Sequence, residues 1–150
     1  IYNNAILTGV AAWNETPITL EERARWLAAQ RQAENPVLVA IGGQSGAEEV
    51  WGFATYSQRR PFEAYRHTVE DSIYVRDDHL GKGVGKTLLR ELIERARTKQ
   101  KHVMIAGVGS DNVASIGLHE SLGFVRAGTF PQVGRKFGRW LDLIFLQLDL

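Results

Sequence analysis

A glycine-rich stretch at 79–89, HLGKGVGKTLL, constrains the fold of this chain more than any other feature. It lies between a strand-like segment ending at Val75 and a segment of helical periodicity beginning near Gly83. A strand that passes through glycines straight into a helix leaves backbone N–H groups unpaired at the positive end of the helix dipole. The sequence therefore predicts an anion-binding strand–loop–helix unit, with a glycine-rich turn that binds nothing as the alternative.

The glycine run is close to two nucleotide-binding motifs but fits neither. In the P-loop pattern G-x-x-x-x-G-K-[ST], Gly85, Lys86 and Thr87 match the end. Leu80 stands where the first glycine belongs, and Gly81 comes one residue late. The dinucleotide pattern G-x-G-x-x-G fails because the run is G-x-G-x-G. A P-loop NTPase is therefore disfavoured.

Strand-like and helical segments alternate along the rest of the chain. The segment 37–57 reads as a hairpin with a turn at 42–49, and 59–67 reads as an aromatic and basic loop. This order predicts a mixed α/β fold with one dominant sheet. The predicted strands are 36–41, 50–57, 68–75, 102–108, 124–133 and 140–150, and the predicted helices are 16–32, the segment beginning near Gly83, and 110–124.

Local signals predict the ends and faces of the helices. Thr19 and Glu22 form a capping box before the first predicted helix. Ser110 and Asp111 are expected to cap the third helix, and Gly123 to end it. Helical spacing in the first helix is followed by Leu20, Ala24, Leu27 and Arg31. The second helix has an apolar face made of Val84, Leu88, Leu89, Leu92, Ile93 and Ala96. Its solvent side carries two expected ion pairs, Arg90 with Glu94 and Glu91 with Arg95.

Composition excludes several classes of function. The 150 residues fit a single domain over 1–150, and a net charge of +1 with scattered basic residues predicts no nucleic-acid partner. The absence of cysteine excludes disulfides, thiolate metal sites and cysteine nucleophiles, and the four dispersed histidines predict no metal site. No apolar run reaches the ~18 residues of a membrane span, and no signal peptide is visible, so we expect a cytoplasmic protein without a membrane partner.

The glycine run and the later segment DNVASIGLHESLGF together resemble the GNAT family of acetyl-CoA-dependent N-acetyltransferases. This resemblance implies a mixed, mostly antiparallel twisted sheet flanked by helices, with acetyl-CoA as co-substrate. The family motif Q/R-x-x-G-x-G/A falls on 80–85, where Leu80 departs from the usual Gln or Arg. It implies that the coenzyme A pyrophosphate binds this loop, that the pantetheine arm binds the preceding strand, and that Asn112 contacts the pantetheine arm or the acetyl group. A helix N-cap role is the alternative for Asn112, and the two roles can coexist. The implied cofactor-binding residues are Ile73, Tyr74, Val75, Gly81, Lys82, Gly83, Val84, Gly85, Lys86 and Asn112.

Four separated segments resemble one branch of that family, the phosphinothricin and methionine sulfoximine acetyltransferases. They are WNETP, FEAYRHTVEDSIYV, NVASIGLHESLGF and PQVGRKFGRWLDLIFLQLDL. The branch implies an acceptor that is a small amino-acid analogue, and a homodimer in which 134–140 reaches the neighbouring subunit. Two departures are SQRR at 57–60, where relatives often have Asp-Trp-Arg, and Gly109, where relatives often have Glu. The family's N-terminal strand and most of its first helix are expected to precede residue 1, where the sequence opens without Met.

Three residues are candidates for the acetyl-transfer chemistry. An amine must lose a proton before it attacks a thioester, and Glu70 matches the proposed catalytic Glu of the branch. His119 stands where many family members have a Tyr that protonates the departing thiolate, and it could act as acid, base or carbonyl polariser. Tyr74 could donate a hydrogen bond to the developing oxyanion. The alternatives are a solvent-facing carboxylate for Glu70 and packing roles for the other two.

The acceptor is expected to contact the aromatic and basic loop. Arg60 suits an amino-acid carboxylate, and Tyr65 and the weaker candidate Arg66 lie on the same loop. Trp13 could form a wall of the side-chain pocket, and Glu70 would lie beside the amine. Loop packing is the alternative for each of them.

Other functions stay open at this point. The acceptor could be a protein N-terminus or a polyamine, although the arginines of 59–66 oppose a polyamine. A non-catalytic module that binds coenzyme A is a further alternative, opposed by the presence of Glu70, Asn112 and His119.

Overall fold

The computed structural model describes residues 1–44 and 47–150, and that part of the chain folds into helices packed on one sheet. The predicted turn at 42–49 includes Ser45 and Gly46, which lie outside the described residues. Single 3-10 turns cover 63–65 and 77–79. The elements are α1 (Tyr2–Thr8), α2 (Leu20–Gln32), β1 (Val37–Gly42), β2 (Glu49–Gln58), β3 (Thr68–Val75), α3 (Val84–Thr98), β4 (Val103–Gly109), α4 (Val113–Glu120), β5 (Val125–Lys136) and β6 (Arg139–Asp149).

The six strands form one sheet in the order β1-β2-β3-β4-β6-β5. Every neighbouring pair is antiparallel except β3 and β4, which run parallel. A parallel pair needs a crossover, and α3 supplies it by returning the chain from the end of β3 to the start of β4. The predicted mixed, mostly antiparallel sheet is therefore confirmed.

The parallel pair separates part-way along its length. β3 and β4 are paired only from Thr68 with Val103 to Glu70 with Ile105. Beyond that point β3 continues to Val75 beside β2 alone, and β4 continues to Gly109 beside β6 alone. The backbone groups that face across the gap have no strand partner, so this opening in the sheet is a place where a ligand can bind.

The amphipathic helix α3 supplies much of the core. Its predicted apolar face is confirmed, since Leu88, Leu89, Leu92, Ile93 and Ala96 are buried and Val84 packs against the core. Each large aliphatic side chain on this face contributes about 1.5–3 kcal/mol by leaving water. The core anchors α3, and with it the glycine run at its start, against β1, β2 and β3.

Two details of the predicted helices are wrong. The N-cap of α4 is not Ser110 or Asp111 but Asn112, whose side chain accepts a hydrogen bond from the Ser115 amide, so the alternative role predicted for Asn112 is confirmed. On α3 the predicted Glu91–Arg95 pair forms, but Glu94 pairs with Arg97 instead of Arg90. In each case the predicted and the observed residues satisfy the same rule, N-cap preference for α4 and the pairing of opposite charges three or four residues apart for α3. The sequence alone does not decide between them.

Helix α2 has the predicted capping box, but the residues that follow helical spacing in it are not buried in the core. Thr19 and Glu22 exchange both hydrogen bonds, whereas Leu20 is 87% exposed and no residue of α2 is fully buried. Arg23 and Trp26 face the sheet instead, with the Arg23 guanidinium 3.8 Å from the Trp26 ring and 4.5 Å from the Phe53 ring. Within the described ranges, no helix is long and apolar enough to cross a membrane.

The hairpin of β5 and β6 forms one border of the sheet. β5 is the edge strand, and its side chains are exposed along nearly the whole strand. The turn lies at Phe137 and Gly138, a tighter turn than the predicted one over 134–140, because pairing continues to Lys136 and Arg139.

Candidate active site

The glycine run forms an open backbone cradle at the start of α3. Gly81 and Gly83 have φ angles of +73° and +83°, in the left-handed region that favours glycine. A Cβ atom at either position would meet nothing within 4 Å, so the space above the backbone is free for a ligand. Gly83 is the N-cap of α3, and the first amides of the helix have no side-chain partner from it. This geometry fits an anionic group such as a pyrophosphate.

Gly85 has a different function in this loop. A Cβ atom there would stand 3.3 Å from Cδ2 of Leu118 on α4, so the Leu118 side chain would have to shift by a few tenths of an ångström. The third glycine therefore allows Leu118 to pack closely against the start of α3.

A large cavity of about 570 Å³ extends from this cradle. It runs from the glycine run past the end of β3 to the loop after α1 and the start of α4. Of the predicted cofactor-binding residues, Ile73, Tyr74, Val75, Gly81, Gly83, Val84, Gly85, Lys86 and Asn112 line it, and Lys82 does not.

A smaller cavity of about 220 Å³ lies in the opening between β3 and β4. The two cavities share lining residues, so they adjoin at Ala11, Ile73, Tyr74, Asn112 and Ser115. The smaller cavity therefore adjoins the larger one where the sheet is split.

His119 is fixed by hydrogen bonds on both sides of its ring at the smaller cavity. Its Nδ1 lies 2.7 Å from the Ser115 carbonyl oxygen, and its Nε2 lies 3.1 Å from Oδ2 of Asp71. Both side chains are buried, and the Phe124 ring packs edge-on against the imidazole. Burial lowers the pKa of His119, but the hydrogen bond and charge of Asp71 and the Ser115 carbonyl outweigh it, so the net pKa is raised.

Glu70 lies at the point where the two strands separate. It is the last residue of β3 that pairs with β4, and its side chain points to the opposite face of the sheet from Asp71. The Arg59 guanidinium forms an ion pair with Glu70 and lies 4.7 Å from the Phe145 ring centre. Glu70 does not line either cavity, but its Oε1 would stand 3.0 Å from a Cβ atom at Gly107, which lines the smaller one.

Tyr74 and Trp13 contribute aromatic walls. The Tyr74 ring packs between Tyr2 and Phe53, with ring centres 4.9 and 5.3 Å away, and burial raises its pKa well above the usual range. Trp13 lines the smaller cavity and contacts Gly109 and Gly134. Tyr74 thus has packing partners, and the hydroxyl role predicted for it stays a prediction.

The other predicted acceptor residues lie away from both cavities. Arg60 is exposed and its carbonyl accepts a hydrogen bond from the Gln58 amide. Tyr65 is 39% exposed, and Arg66 donates to the Glu63 carbonyl. The structure does not bring these three to the smaller cavity, and their contact with an acceptor stays a prediction.

Comparison with protein families decides the classification. Residues 4–124 match the acetyltransferase (GNAT) family. The chain belongs to the GNAT acetyltransferase family.

Two relatives match over the whole chain. An L-methionine sulfoximine/L-methionine sulfone acetyltransferase of Pseudomonas paraeruginosa is 55% identical over 150 residues, which cover 100% of this chain and 86% of the relative. A phosphinothricin N-acetyltransferase of Alcaligenes faecalis is 42% identical, with 100% and 75% covered. The family predicted from the four sequence segments is confirmed.

Solved structures agree with the fold. A ribosomal-protein-alanine N-acetyltransferase from Brucella melitensis superposes with a TM-score of 0.94 and 51% identity, covering 100% of this chain and 90% of that one. An acetyltransferase from Salmonella typhimurium, solved with its cofactor acetyl-CoA, has a TM-score of 0.93 and 48% identity, covering 100% and 84%. This GNAT chain is thus an acetyltransferase, and acetyl-CoA is its acetyl donor.

Sequence reasoning missed two charged residues of this GNAT site, Asp71 and Arg59. Both could have been found from the two-residue period of a strand. Asp71 lies two residues after the buried Val69 and so takes the same face of β3. Arg59 lies two residues after Ser57, the cross-strand neighbour of Glu70, and so takes the same face as Ser57. In the part of the chain that the structure describes, no group of three or more His, Cys, Asp or Glu side chains could hold a metal ion.

Proposed function

We propose that this enzyme acetylates the α-amine of a small amino-acid analogue of the methionine sulfoximine, methionine sulfone or phosphinothricin type. The observation that carries this proposal is the smaller cavity, which adjoins the larger one where the sheet is split. Its volume of about 220 Å³ is below the range usual for drug-sized ligands and suits a compact acceptor. The names of the two relatives point to the same acceptor class.

The larger cavity would hold acetyl-CoA. The amides of 81–86 would bind its pyrophosphate, because Gly81 and Gly83 leave the backbone bare and the dipole of α3 favours negative charge. The backbone of Ile73–Val75 would bind the pantetheine arm, since it pairs with β2 on one side only. Asn112 lines both cavities and would contact the arm or the acetyl group while it also caps α4.

Glu70 would act as the base. A free α-amine has a pKa near ~8, so at neutral pH much of it must lose a proton before it can attack. Glu70 would take that proton, directly or through water, at the point where the strands separate. The amine nitrogen would then form a bond to the thioester carbonyl carbon and give up a second proton as the amide forms. The carbon–sulfur bond would break and the departing thiolate would gain a proton, so one of the two protons ends on the thiol of coenzyme A and the other in solvent.

The acceptor carboxylate would bind to a guanidinium. Arg60 is the predicted residue, with Tyr65 and Arg66 on the same loop and Trp13 as a wall of the cavity. Arg59, adjacent to Arg60, already lies against Glu70, so positive charge is present beside the proposed base. An α-amino acid carries both an ammonium and a carboxylate, which match a carboxylate and a guanidinium placed side by side.

An acceptor screen with acetyl-CoA and detection of released thiol tests the proposed substrate. We expect activity on methionine sulfoximine, methionine sulfone or phosphinothricin, and at least tenfold less on the matching amine without its carboxylate. Preferential acetylation of a peptide with N-terminal alanine would instead favour a protein acceptor, as named for the Brucella structure. Preference for a polyamine would also contradict the proposal.

A homodimer in the cytoplasm completes the proposal. The hairpin of β5 and β6 carries exposed apolar side chains at Phe130, Val133, Phe137 and Trp140, which a second copy would cover. Within 134–140, Gly134 and Lys136 contact the enzyme's own 9–13 segment, so Phe137 and Trp140 would reach the partner. Sedimentation showing only monomer at micromolar concentration, with full activity, would contradict the dimer. The cytoplasm is where acetyl-CoA is available to such an enzyme.

A further inference from the structure

Lys136 is a buried lysine at the end of an exposed strand. It is 2% exposed, whereas the other residues of β5 are exposed or half-buried. Its ammonium group donates hydrogen bonds to the backbone carbonyls of Gly9 and Ala12, which lie 127 and 124 residues earlier in the chain. The same nitrogen lies 4.9 Å from the centre of the Phe137 ring. Lys136 therefore joins the β5–β6 hairpin to the segment that follows α1.

A lysine is a costly residue to bury at this point. No ion pair among the described residues includes Lys136, so carbonyl groups and the Phe137 ring are what its charge contacts. A buried charge without a carboxylate partner loses more by leaving water than an apolar side chain does. What Lys136 adds over an apolar residue is a set of N–H donors aimed at two carbonyl oxygens. The lysine thus gives the backbone at those carbonyls a fixed position.

The backbone of segment 9–13 has few other polar attachments. The segment belongs to no helix or strand, and no backbone–backbone hydrogen bond outside those elements involves it in the described part of the chain. Its other contacts are made by side chains, since Ala12 is buried and the Trp13 ring lies over Gly134. The two hydrogen bonds from Lys136 therefore fix the course of this backbone.

Segment 9–13 forms a wall that the two cavities share. Gly9, Val10 and Ala11 line the larger cavity, and Ala11 and Trp13 line the smaller one. The acetyl group and the acceptor amine would meet where the cavities adjoin, which is beside Ala11. A shift of this wall would change the distance between the reacting groups and the shape of the acceptor cavity.

We propose that Lys136 is a positioning residue for acetyl transfer, which holds segment 9–13 as the common wall of both cavities and thereby places Trp13 against the acceptor. This inference rests on the proposed function. Lys136 lines neither cavity, so it acts through the segment and touches no reacting group. Most of the larger cavity is lined by β3, the glycine run and α4, which Lys136 does not hold. Loss of the ammonium should therefore affect the acceptor more than acetyl-CoA.

The position of Trp13 can be followed without any turnover. In protein labelled with 5-fluorotryptophan, four ¹⁹F signals are expected, and the Trp13→Phe variant identifies that of Trp13. Lys136→Met keeps the length of the side chain and removes every N–H donor. The Trp13 signal should then shift or broaden, while the signals of Trp26 and Trp51 stay in place. An unchanged Trp13 signal in folded Lys136→Met would overturn the proposal.

The kinetic constants separate positioning from general support of the fold. We expect the KM for the acceptor to rise by about tenfold or more in Lys136→Met, with the acetyl-CoA affinity measured by calorimetry near that of the wild type. Lys99→Met is the matched control, because Lys99 also donates to a backbone carbonyl, that of Glu34, but lies at the opposite end of α3 from the glycine run. It should leave both constants and the Trp13 signal unchanged. An unchanged acceptor KM in Lys136→Met, or an equal loss of acceptor and acetyl-CoA binding, would contradict the positioning role.

Lys136→Gln is the second variant, for the case that Lys136→Met does not fold. Gln keeps N–H donors in a shorter, uncharged side chain, so it should change the Trp13 signal and the acceptor KM in the same direction but less. If neither variant folds, Lys136 supports the whole fold and not this wall, and the proposal is wrong. Absence of acetyl transfer by the wild-type enzyme to any amino-acid analogue would refute the proposed function instead, whatever the ¹⁹F result.

Discussion

The indole of Trp13 lies directly over Gly134, and a Cβ atom on that glycine would stand 2.3 Å from Cζ3 of the ring. The contact joins the segment after α1 to β5, and the buried Lys136 strengthens it by donating to the carbonyls of Gly9 and Ala12. Trp13 forms one wall of the smaller cavity, and its position therefore depends on Gly134 of β5 having no side chain.

Gly134→Ala should displace Trp13 and damage the acceptor cavity. We expect the KM for the acceptor to rise at least fivefold, while the affinity for acetyl-CoA measured by calorimetry stays near that of the wild type. Gly128→Ala is the matched control, because it lies on the same strand and its added Cβ would meet nothing within 4 Å. Equal kinetics for the two variants would mean that Trp13 does not shape the acceptor site.

Gly83→Val should weaken acetyl-CoA binding. The valine would place a branched side chain in the open cradle and would also strain a backbone with φ of +83°. Gly138→Val controls for strain alone, since Gly138 has φ of +75° and free space but lies in the β5–β6 turn. We expect a loss of at least tenfold in acetyl-CoA affinity for Gly83→Val only. A similar acetyl-CoA affinity in both folded variants would show that the glycine run is not part of the acetyl-CoA binding site.

Glu70→Gln should lower kcat by about 10²–10⁴, the usual effect of losing a general base. The substitution keeps the shape of the side chain and should leave acetyl-CoA affinity unchanged, and the acid limb of the pH–rate profile should change. Glu63→Gln, on the exposed turn nearby, should have no effect. A near-normal kcat with the same profile would show that Glu70 is not the base.

Arg60→Ala should raise the KM for the amino-acid acceptor and leave the KM for acetyl-CoA near normal. The reason is the loss of a guanidinium that binds the acceptor carboxylate. Arg59→Ala is the informative comparison, because Arg59 contacts Glu70 and Arg60 does not line either cavity. A rise in KM for Arg59→Ala alone would transfer the carboxylate-binding role to Arg59.

The Asp71–His119 pair should make stability depend on pH. The pKa of His119 is raised in the folded state above its unfolded value of about 6.5. The pair therefore contributes its full stabilisation below that value and loses it as pH rises through the folded pKa. Urea unfolding should show the wild type exceeding Asp71→Asn in free energy of unfolding at pH 6, with a smaller difference at pH 9. A difference that does not change with pH would contradict the raised pKa.

Several features of the fold and site were predictable because they depend on neighbours in sequence. The capping box of Thr19 and Glu22 needs residues three apart, and the buried face of α3 needs only helical periodicity. The position of the glycine run between β3 and α3 follows from the same kind of pattern. The predicted caps of α4, Ser110 and Asp111, were wrong and Asn112 is the N-cap, because all three residue types satisfy the same local rule.

The sequence by itself determined the family, the cradle at the start of α3 and the position of Glu70 on the strand that leads to it. Only the tertiary structure decided that Asp71 meets His119, 48 residues away, that Arg59 meets Glu70, and that Lys136 binds a carbonyl 127 residues away. Helical and strand periodicities state which face a side chain takes but not what lies opposite it. That partner is fixed by the order of strands in the sheet and by where β3 and β4 separate, which depends on packing of the whole chain.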